Sequence, residues 1–591
     1  MTAADESVLI TTERSGLPAE RGWWRKAVVY QIYPRSFADS NGDGMGDIRG
    51  IIEHLDHIEK LGVDVVWLSP VYRSPQDDNG YDISDYQDID PMFGSLADLD
   101  ELIAGLHARG IRLVMDLVVN HTSDEHPWFE ASRSSKDDPK RDWYVWRPAR
   151  PGTVPGEPGA EPNNWGSIFS GPAWEYDERT GEYYLHLFTR KQPDLNWENP
   201  QVRRAVHDMM RWWVARGVDG FRMDVINFIS KVDGLPDGEV HDGALFGNGF
   251  PFFAGGPRLD EFLAEINREV FGDDEEAARF LTVGEMPGST VEQAQVYTDP
   301  ARREVDMIFQ FEHMEVDEGP GGKFDPRPIH LPELKRSLAR WQDGLAENGW
   351  NSLYWSNHDR PRAVSRFGDD SEEYREVSAK ALGTVLHLMR GTPYVYQGEE
   401  LGMTNTVLER IEDFRDVESL NYFREATEVR GQDPAEVLPA LGYAGRDNSR
   451  TPVQWDDSSN AGFTVGEPWI AVTPNYRMIN AAAQVDDPAS VFSHYRELVR
   501  LRHELPIVSD GTLTMHLLDD EQVFAYSRAL GDEGLLVLAN LSGRPARVDA
   551  SALGWTEGEV VLTNLPDGVP SLGAEVALRP WEAVAWRRRH A

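Results

Sequence analysis

Short apolar runs alternate with longer stretches of helical periodicity through the first four hundred residues. Eight such runs occur, at 27–34, 63–70, 112–121, 220–225, 280–285, 305–313, 352–359 and 392–400. Near-continuous runs of Val, Ile, Leu and Tyr with polar ends are typical of parallel strands buried on both faces. The stretches between these runs fit helical crossovers. Eight repeats of this unit predict an α/β protein with a closed (β/α)8 barrel.

Two connections are too long for plain loops between a strand and a helix. Residues 126–200 are rich in Trp, Pro and Gly, and we expect an inserted subdomain over the barrel mouth. A second insertion, at about 401–487 after the eighth strand, is rich in Asp, Arg and aromatic residues. We expect it to close the barrel mouth from the other side.

The pattern changes near residue 511 to short alternating strands separated by Gly, Asp and Pro turns. This pattern predicts a C-terminal antiparallel β-sandwich at 511–591. The barrel then occupies 23–125 and 201–510, and residues 1–22 form a mobile N-terminal tail.

Composition narrows the possible partners. The chain has no Cys, so disulfides, thiolate metal sites and Cys nucleophiles are excluded. Its formal net charge of −42 disfavours nucleic acid and anionic lipid, although acidity by itself also serves simply to keep a protein dissolved. No apolar run is long enough to span a bilayer, no secretory signal pattern opens the sequence, and no nucleotide-binding Gly loop occurs. We expect a cytoplasmic monomer or weak homodimer without an organic cofactor.

Three of the predicted strands end in acids, namely Asp224, Glu285 and Asp359. Barrel enzymes carry their chemistry at the carboxyl ends of the strands, and glycoside hydrolysis requires a pair of carboxyl groups. Arg222 points to the same strand face as Asp224 and can keep it ionised, whereas the apolar residues before Glu285 can keep that acid protonated. The acids therefore predict a site for sugar chemistry.

A loop after the first strand, at 38–50, places oxygen-bearing side chains at alternating positions between glycines. These are Asp39, Asn41, Asp43 and Asp47. The spacing is typical of a calcium loop, and the alternative is a solvated acidic turn. Any metal here would be structural, because the loop follows the first strand and the chemistry needs no metal.

Five motifs in order carry a resemblance to a known family: MDLVVNH (115–121), KQPDLNW (191–197), GFRMDVINFISK (220–231), TVGEMPG (282–288) and WSNHD (355–359). From about Trp23 to its end the chain resembles glycoside hydrolase family 13, the α-amylase family. Within it, the chain is similar to the oligo-1,6-glucosidases and related α-glucosidases. The resemblance implies that Asp224 is the nucleophile, Glu285 the acid/base and Asp359 the third acid, which grips sugar hydroxyls.

The same resemblance implies a substrate-binding set around these acids. Its members are Tyr81, which stacks on the reacting glucose, and Asp82, His121, Arg222, Val225, His358, Arg360 and Arg446. The family pairs Asp82 with an Arg after the eighth strand, which we place at Arg446 with Arg450 as the alternative. Such a pair closes the pocket, so that one glucose is removed at a time from the non-reducing end.

Two further positions bear on specificity. Val225 follows the nucleophile, as is usual in members that cleave α-1,6 bonds, whereas Arg360 departs from the usual Gln at a position touching the leaving sugar.

The resemblance also bears on metal binding. Close relatives bind calcium or magnesium in the loop at 38–50, with the Met45 carbonyl completing the set of ligands.

The resulting hypothesis is a retaining, exo-acting α-glucosidase that hydrolyses terminal non-reducing α-glucosidic bonds of small oligosaccharides or disaccharides through a covalent glucosyl-enzyme. The favoured bonds are the α-1,6 bonds of isomalto-oligosaccharides. The alternatives are an α-1,4-glucosidase, a transglucosylase or isomerase of the sucrose isomerase or trehalose synthase type, and a non-catalytic carbohydrate-binding relative. The isomerases carry an Arg-rich loop after the WSNHD segment. The chain has GDDSEEYREVSAK there, at 368–380, which favours hydrolysis.

Overall fold

The computed structural model describes residues 20–565, 567–568 and 570–589. Its largest sheet contains eight parallel strands: β1 Val29–Ile32, β2 Val65–Leu68, β3 Arg112–Val118, β4 Gly220–Asp224, β5 Leu281–Glu285, β6 Met307–Phe309, β7 Ser352–Leu353 and β8 Thr392–Tyr396. Their spatial order is β6-β5-β4-β3-β2-β1-β8-β7, and a bridge between Ile308 and Asn351 links the two ends. All eight predicted runs contain a strand, and the (β/α)8 barrel is confirmed. Nearly all of the predicted tail at 1–22 lies outside the described residues.

Each strand is followed by at least one helix that lies before the next strand or, for β8, before the C-terminal sheet. In chain order these are Ile48–Glu53 with Leu55–Leu61, Leu96–Ala108, Pro200–Arg216, Leu259–Phe271, Val291–Tyr297, Leu331–Gly344, Arg375–His387 and Val491–Glu504. Local sequence sets their ends. The helix Pro200–Arg216, for example, begins after the side-chain cap of Asn199 and ends at Gly217, whose φ of 117° is left-handed.

Further helices occupy the connections. The α-helical ones are Pro127–Ser134, Phe250–Phe253, Asp274–Ala277, Ala363–Phe367, Val417–Arg424, Pro434–Ala444, Asp447–Arg450, Ala481–Gln484 and Pro506–Asp510, and Glu425–Val429 is a π-helical turn. Single 3₁₀ turns lie at Trp23–Arg25, Pro34–Ser36, Arg141–Trp143, Ile226–Phe228, Glu312–Met314, Glu399–Leu401, Ile411–Asp413, Ser459–Gly462 and Pro474–Arg477.

The barrel strands are buried along their whole lengths, as the apolar runs require. Every residue of β3, β4 and β5 is buried. Gly220 is needed where β4 lies against β5, because a Cβ there would fall 2.0 Å from the Leu281 carbonyl oxygen. Asp224 is the last residue of β4, at the opposite end of the strand from Gly220.

The chain divides into two compact units. The first contains residues 65–284 and the described residues up to Trp23, and the second contains residues 24–64 and 285 to the C terminus. Among the described residues, no helix combines the length and apolar character needed to cross a membrane.

The first unit includes the segment predicted as an inserted subdomain. It contains a three-stranded antiparallel sheet of Trp146–Arg147, Glu182–Leu185 and Trp174–Asp177, and the helix Pro127–Ser134 lies beside it in the chain. Phe129 of that helix stacks on Trp146 at 5.7 Å. A separate hairpin joins Tyr72–Arg73 to Asp85–Ile89. Its second strand, Asp85–Ile89, follows the loop that carries Tyr81 and Asp82.

The second unit holds two further structures beyond its barrel strands. The insertion after β8 has its own apolar cluster, which also receives Phe324 from an antiparallel hairpin of Glu318–Gly319 and Gly322–Pro326. After the last barrel helix, the strands Thr512–His516, Val523–Leu530, Glu533–Asn540, Ala583–Arg589 and Glu559–Thr563 form an antiparallel sheet in that order. Ala546–Asp549 pairs with Glu575–Leu578, and a core that includes Trp555 and Trp586 lies between the two sheets. The predicted β-sandwich is confirmed.

Arg528 ties the C-terminal sheet to the helices before it. The residue is 1% exposed, and its guanidinium donates hydrogen bonds to the carbonyl oxygens of Leu388 (2.6 Å), Val508 (2.8 Å) and Gly511 (2.7 Å). A buried carbonyl left without a donor costs free energy, so this one side chain satisfies several buried groups at once.

We predict that Arg528→Met lowers the free energy of unfolding by about 3 kcal/mol, because it leaves these carbonyl oxygens without donors. Differential scanning calorimetry at a fixed scan rate should show a melting temperature about 2 °C lower, since the entropy of unfolding grows with chain length. Arg547→Met is the control, since Arg547 forms only an exposed ion pair with Glu575. Equal shifts in the two variants would contradict the role given to Arg528.

Candidate active site

The carboxyl end of β4 carries a buried ion pair. Arg222 Nη1 donates to Asp224 Oδ1 at 2.5 Å and to Asp116 Oδ1, on β3, at 2.9 Å. Arg222 is 1% exposed, whereas the Asp224 side chain keeps 10% of its surface accessible. The cation favours the ionised form of the carboxyl group beside it. Asp224 therefore lies beside a cation while part of its side chain stays accessible to solvent.

Asp116 extends this pair to an aromatic residue of the predicted substrate-binding set. Its Oδ2 accepts hydrogen bonds from Trp67 Nε1 at 3.0 Å and from the Tyr81 hydroxyl at 3.1 Å. Asp116 is fully buried, and it connects Arg222 to Tyr81. Reasoning from sequence missed this residue, although it lies within the motif MDLVVNH.

His121 lies next to Tyr81 in the same unit. Its Nε2 is 3.1 Å from the Tyr81 carbonyl oxygen and 3.3 Å from Gln192 Nε2. Burial lowers the pKa of His121 to about 4, with Asp194 opposing the shift. The imidazole is therefore neutral near pH 7 and offers a hydrogen bond rather than a charge.

Asp82 is completely buried in a tight turn. Its two oxygens accept hydrogen bonds from Ser74 Oγ at 2.9 Å and from the backbone N–H groups of Asp77 at 2.8 Å and Asp78 at 3.1 Å. Burial raises its pKa to about 7, and the two N–H donors oppose that rise. The predicted pairing of Asp82 with Arg446 joins residues of different units and stays a prediction.

Val225, directly after Asp224, has an unusual backbone conformation. Its φ of 34° and ψ of 42° are left-handed, which is a genuine outlier for a β-branched residue. Such a conformation costs about 1–3 kcal/mol and persists only where surrounding structure holds it. The strain lies immediately beside the predicted nucleophile.

In the second unit, Asp359 accepts hydrogen bonds from two arginines. Arg450 Nη2 lies 2.9 Å and Arg446 Nη1 lies 3.3 Å from Asp359 Oδ1. The His358 ring, which is fully buried, lies 3.3 Å from Asp359 Oδ2 and 2.8 Å from Gln31 Nε2.

Desolvation by itself would raise the pKa of Asp359. His358 and the cations Arg446, Arg450 and Lys323 outweigh that effect and hold the pKa well below its usual value. Asp359 is therefore ionised near pH 7.

Arg446 has further partners that the sequence did not reveal. Its Nη2 lies 2.6 Å from Asp416 Oδ1 and its Nε lies 3.4 Å from Glu418 Oε2. The Asp416 carboxylate also caps the helix Val417–Arg424, because it accepts hydrogen bonds from the backbone N–H groups of Glu418 and Ser419. The only signal for these acids was the Asp-rich and Arg-rich character of the insertion, which does not specify individual residues.

Glu285 and Arg360 both lie near Tyr354. Glu285 ends β5 and is 6% exposed. Burial raises the pKa of Tyr354, Arg360 works against the rise and Glu285 adds to it. Arg360 donates to Glu318 Oε1 at 2.8 Å and lies 5.5 Å from the Phe311 ring centre. The unusual Arg is thus held by an acid from the hairpin at 318–326.

The loop at 38–50 forms a series of turns held by its own side chains. Asp39 Oδ1 accepts from the Asn41 and Gly42 N–H groups, Asp43 Oδ1 accepts from the Met45 N–H, and Asp47 accepts from Ser40 and Gly50. In the part of the chain that the structure describes, no group of three or more His, Asp or Glu side chains is arranged to hold a metal ion. The oxygen chemistry suits a hard cation, but these carboxylates already accept N–H groups.

Comparisons with known proteins agree with this fold. The family model "Alpha amylase, catalytic domain" matches residues 31–511. The oligo-1,6-glucosidase of Parageobacillus thermoglucosidasius is 57% identical over 96% of this chain and 100% of its own.

Two solved structures are similar over nearly the whole length. The trehalose-6-phosphate hydrolase of Bacillus licheniformis is 47% identical with a TM-score of 0.88, over 96% of this chain and 100% of that one. The trehalulose synthase MutB of Pseudomonas mesoacidophila MX-45 is 41% identical with a TM-score of 0.89, over 97% and 100%.

A (β/α)8 barrel with acids at the ends of its strands defines the class: the protein is a glycoside hydrolase. More particularly, the chain belongs to the α-amylase family, glycoside hydrolase family 13.

We predict that Asp116→Asn lowers kcat/KM by about 10- to 100-fold, because a neutral amide no longer holds Arg222 against Asp224. Initial rates of glucose release, with circular dichroism to check folding, provide the measurement. Asp100→Asn, which alters the partly exposed ion pair with Arg216, is the matched control. An Asp116→Asn variant with unchanged kinetics would exclude a positioning role.

Proposed function

We propose that the protein is a retaining, exo-acting α-glucosidase that removes terminal glucose from the non-reducing ends of small oligosaccharides, with preference for α-1,6 bonds. The observation that carries the proposal is the buried Arg222, which supports an ionised Asp224 at the end of β4. The oligo-1,6-glucosidase relative, at 57% identity, supports the choice of substrate.

The proposed chemistry begins with Asp224 as an ionised nucleophile. Its carboxylate attacks the anomeric carbon while Glu285 donates a proton to the leaving oxygen, so the glycosidic bond breaks as the glucosyl-enzyme ester forms. In the second step Glu285 takes a proton from water. The resulting hydroxide attacks the anomeric carbon, releases Asp224 and restores the original anomeric configuration.

The remaining residues are proposed to hold the glucose. Asp359 stays ionised between Arg446 and Arg450, so its oxygens can accept hydrogen bonds from sugar hydroxyls that strengthen as the ring distorts. Tyr81 provides a ring face, anchored through Asp116, and neutral His121 provides a hydrogen bond.

Transfer to another sugar is the second candidate function. A glucosyl-enzyme can react with a sugar hydroxyl instead of water, and the MutB structure, titled a trehalulose synthase, is 41% identical to this chain. Hydrolysis is the better proposal because the oligo-1,6-glucosidase relative is more similar. Transfer would then be a side reaction at high substrate concentration.

We predict that the enzyme releases glucose faster from isomaltose than from maltose, sucrose or trehalose, and that Val225→Thr lowers the isomaltose to maltose ratio of kcat/KM. The reason is that Thr keeps the shape of Val but places a hydroxyl instead of a methyl group beside the nucleophile. Chromatography of the products and NMR of the first anomer formed provide the measurement. We expect the α-anomer, as a retaining mechanism requires.

Asp224→Asn serves as the inactive control, with kcat reduced by at least about 10³-fold. Faster maltose cleavage would shift the assignment to an α-1,4-glucosidase. New disaccharides without net glucose would shift it to a transferase, and binding of sugars without any turnover would point to a non-catalytic relative.

We also propose a structural calcium, or alternatively magnesium, in the loop at 38–50. The side chains of Asp39, Asn41, Asp43 and Asp47 with the Met45 carbonyl would hold it and would stiffen the loop, without taking part in the reaction. The alternating oxygens support this site, whereas the N–H groups already bound to the carboxylates oppose it. The cytoplasmic location and the monomeric or weakly dimeric state stay predictions.

If the metal binds, calcium should raise the melting temperature of EDTA-treated protein by a few degrees, because a ligand of the folded state stabilises it. Asp43→Ala should abolish that increase, whereas Asp56→Ala, an acid on a neighbouring helix, should retain it. Isothermal titration calorimetry provides a second readout. Identical melting curves with and without calcium would exclude the site.

A further inference from the structure

The hairpin at 318–326 contributes two ion pairs to the surroundings of Asp359. Glu318 binds Arg360 at 2.8 Å, and Lys323 Nζ lies 2.5 Å from Glu418 Oε2 on the helix Val417–Arg424. All four side chains are at most about one-fifth exposed, with values of 21%, 11%, 19% and 15% in that order. Partial burial makes their charges harder for solvent to screen.

These charges lie near the predicted acid/base. Arg360 and Glu285 both act electrostatically on Tyr354, whose hydroxyl is fixed to the Gln310 carbonyl oxygen at 2.7 Å. Under the proposed function, Glu285 protonates the oxygen of the leaving sugar. The side chains around it therefore belong to the part of the site that receives that sugar.

The ion pairs of the 318–326 hairpin and those around Asp359 form one cluster, in which the charges balance one another. Four cations, Arg360, Lys323, Arg446 and Arg450, lie within 4 Å of an acid. Four acids, Glu318, Glu418, Asp416 and Asp359, are their partners. Two further acids interact electrostatically with this group: Arg360 lowers the pKa of Glu315, against the larger effect of burial, and Asp416 raises the pKa of Asp447. Among the described residues of the cluster, the balance is thus neutral to negative.

We propose that Glu318 and Glu418 determine specificity: as built-in counterions of Arg360 and Lys323, they restrict the leaving sugar to an uncharged one and exclude sugar phosphates. The inference rests on the proposed function and deepens it. A phosphate group would meet cations already bound to carboxylates, and it would have to displace those carboxylates or lie beside them. Like charges in such contact are strongly unfavourable, and specificity is commonly built in this way.

The similarity to a trehalose-6-phosphate hydrolase raises the question of what would exclude a sugar phosphate from this chain. That structure shares the fold at a TM-score of 0.88 and 47% identity, so the scaffold does not by itself exclude a phosphorylated substrate. Discrimination must come from individual side chains, and the paired cations of the 318–326 hairpin and its neighbours are the charged groups placed to provide it.

The experiment compares each phosphorylated disaccharide with its own neutral parent. The substrates are trehalose 6-phosphate against trehalose, and maltose phosphorylated at C6 of the reducing glucose against maltose. We expect the ratio of kcat/KM, phosphorylated over neutral, to be below about 0.01 in the wild type. In the double variant Glu318→Gln with Glu418→Gln, which releases both cations, the ratio should rise at least about 10-fold.

Glu425→Gln is the matched control, because Glu425 forms an ion pair with Arg430 in the same insertion. Its ratio should match the wild type. A wild-type ratio near 1, or an unchanged ratio in the double variant, would overturn the proposal.

A binding measurement keeps the test independent of turnover. Calorimetry with glucose and glucose 6-phosphate on Asp224→Asn should show tighter binding of the phosphate only after the two Glu→Gln changes are added. Equal affinities for glucose 6-phosphate with and without those changes would also overturn it. Failure of the α-glucosidase proposal itself would be visible separately, as absence of glucose release from every neutral disaccharide.

Discussion

The buried guanidinium of Arg222 is the interaction on which the first unit's part of the site depends. It lies between Asp116 and Asp224, and Asp116 and Arg222 are also register partners in the parallel pairing of β3 with β4. A charge buried this deeply is costly unless acids and hydrogen bonds compensate it. The same contacts that make the cation tolerable also set the orientation of Asp224 and, through Asp116, of Tyr81. Barrel stability and site geometry are consequently coupled at this point.

The second unit solves the same electrostatic problem with a network instead of a single cation. Asp359 is held by Arg446 and Arg450, and Asp416 neutralises the excess positive charge that two adjacent arginines would otherwise create. Because every ion has a partner, the residues around Asp359 have little freedom to rearrange. Such preorganised charges stabilise a developing positive charge on a sugar ring better than solvent does, since they need no reorganisation when the reaction occurs.

Proteins similar to this chain over nearly their whole lengths carry names that denote different reactions, among them an oligo-1,6-glucosidase, a trehalose-6-phosphate hydrolase and a trehalulose synthase. The two solved structures share the fold of this chain, and fold alone does not choose the substrate. In this chain the charges proposed to discriminate between substrates lie on the connections after β6, β7 and β8, where Glu318, Arg360 and Glu418 are found. Loops of this kind tolerate change without loss of the barrel, so specificity can vary while the chemistry persists.

The sequence by itself determined the barrel and its acids. Near-continuous apolar runs indicate strands buried on both faces, and short alternating runs indicate the strands of the C-terminal sandwich. Because these patterns are local in sequence, they predicted all eight barrel strands, the sandwich, and the positions of Asp224 and Glu285 at strand ends. Only the tertiary structure decided which charges pair. Asp116 and Arg222 are 106 residues apart, and Lys323 and Glu418 are 95 apart, and no local pattern encodes such contacts. The left-handed Val225 was equally invisible, because its conformation is imposed by surrounding packing against the residue's own preference.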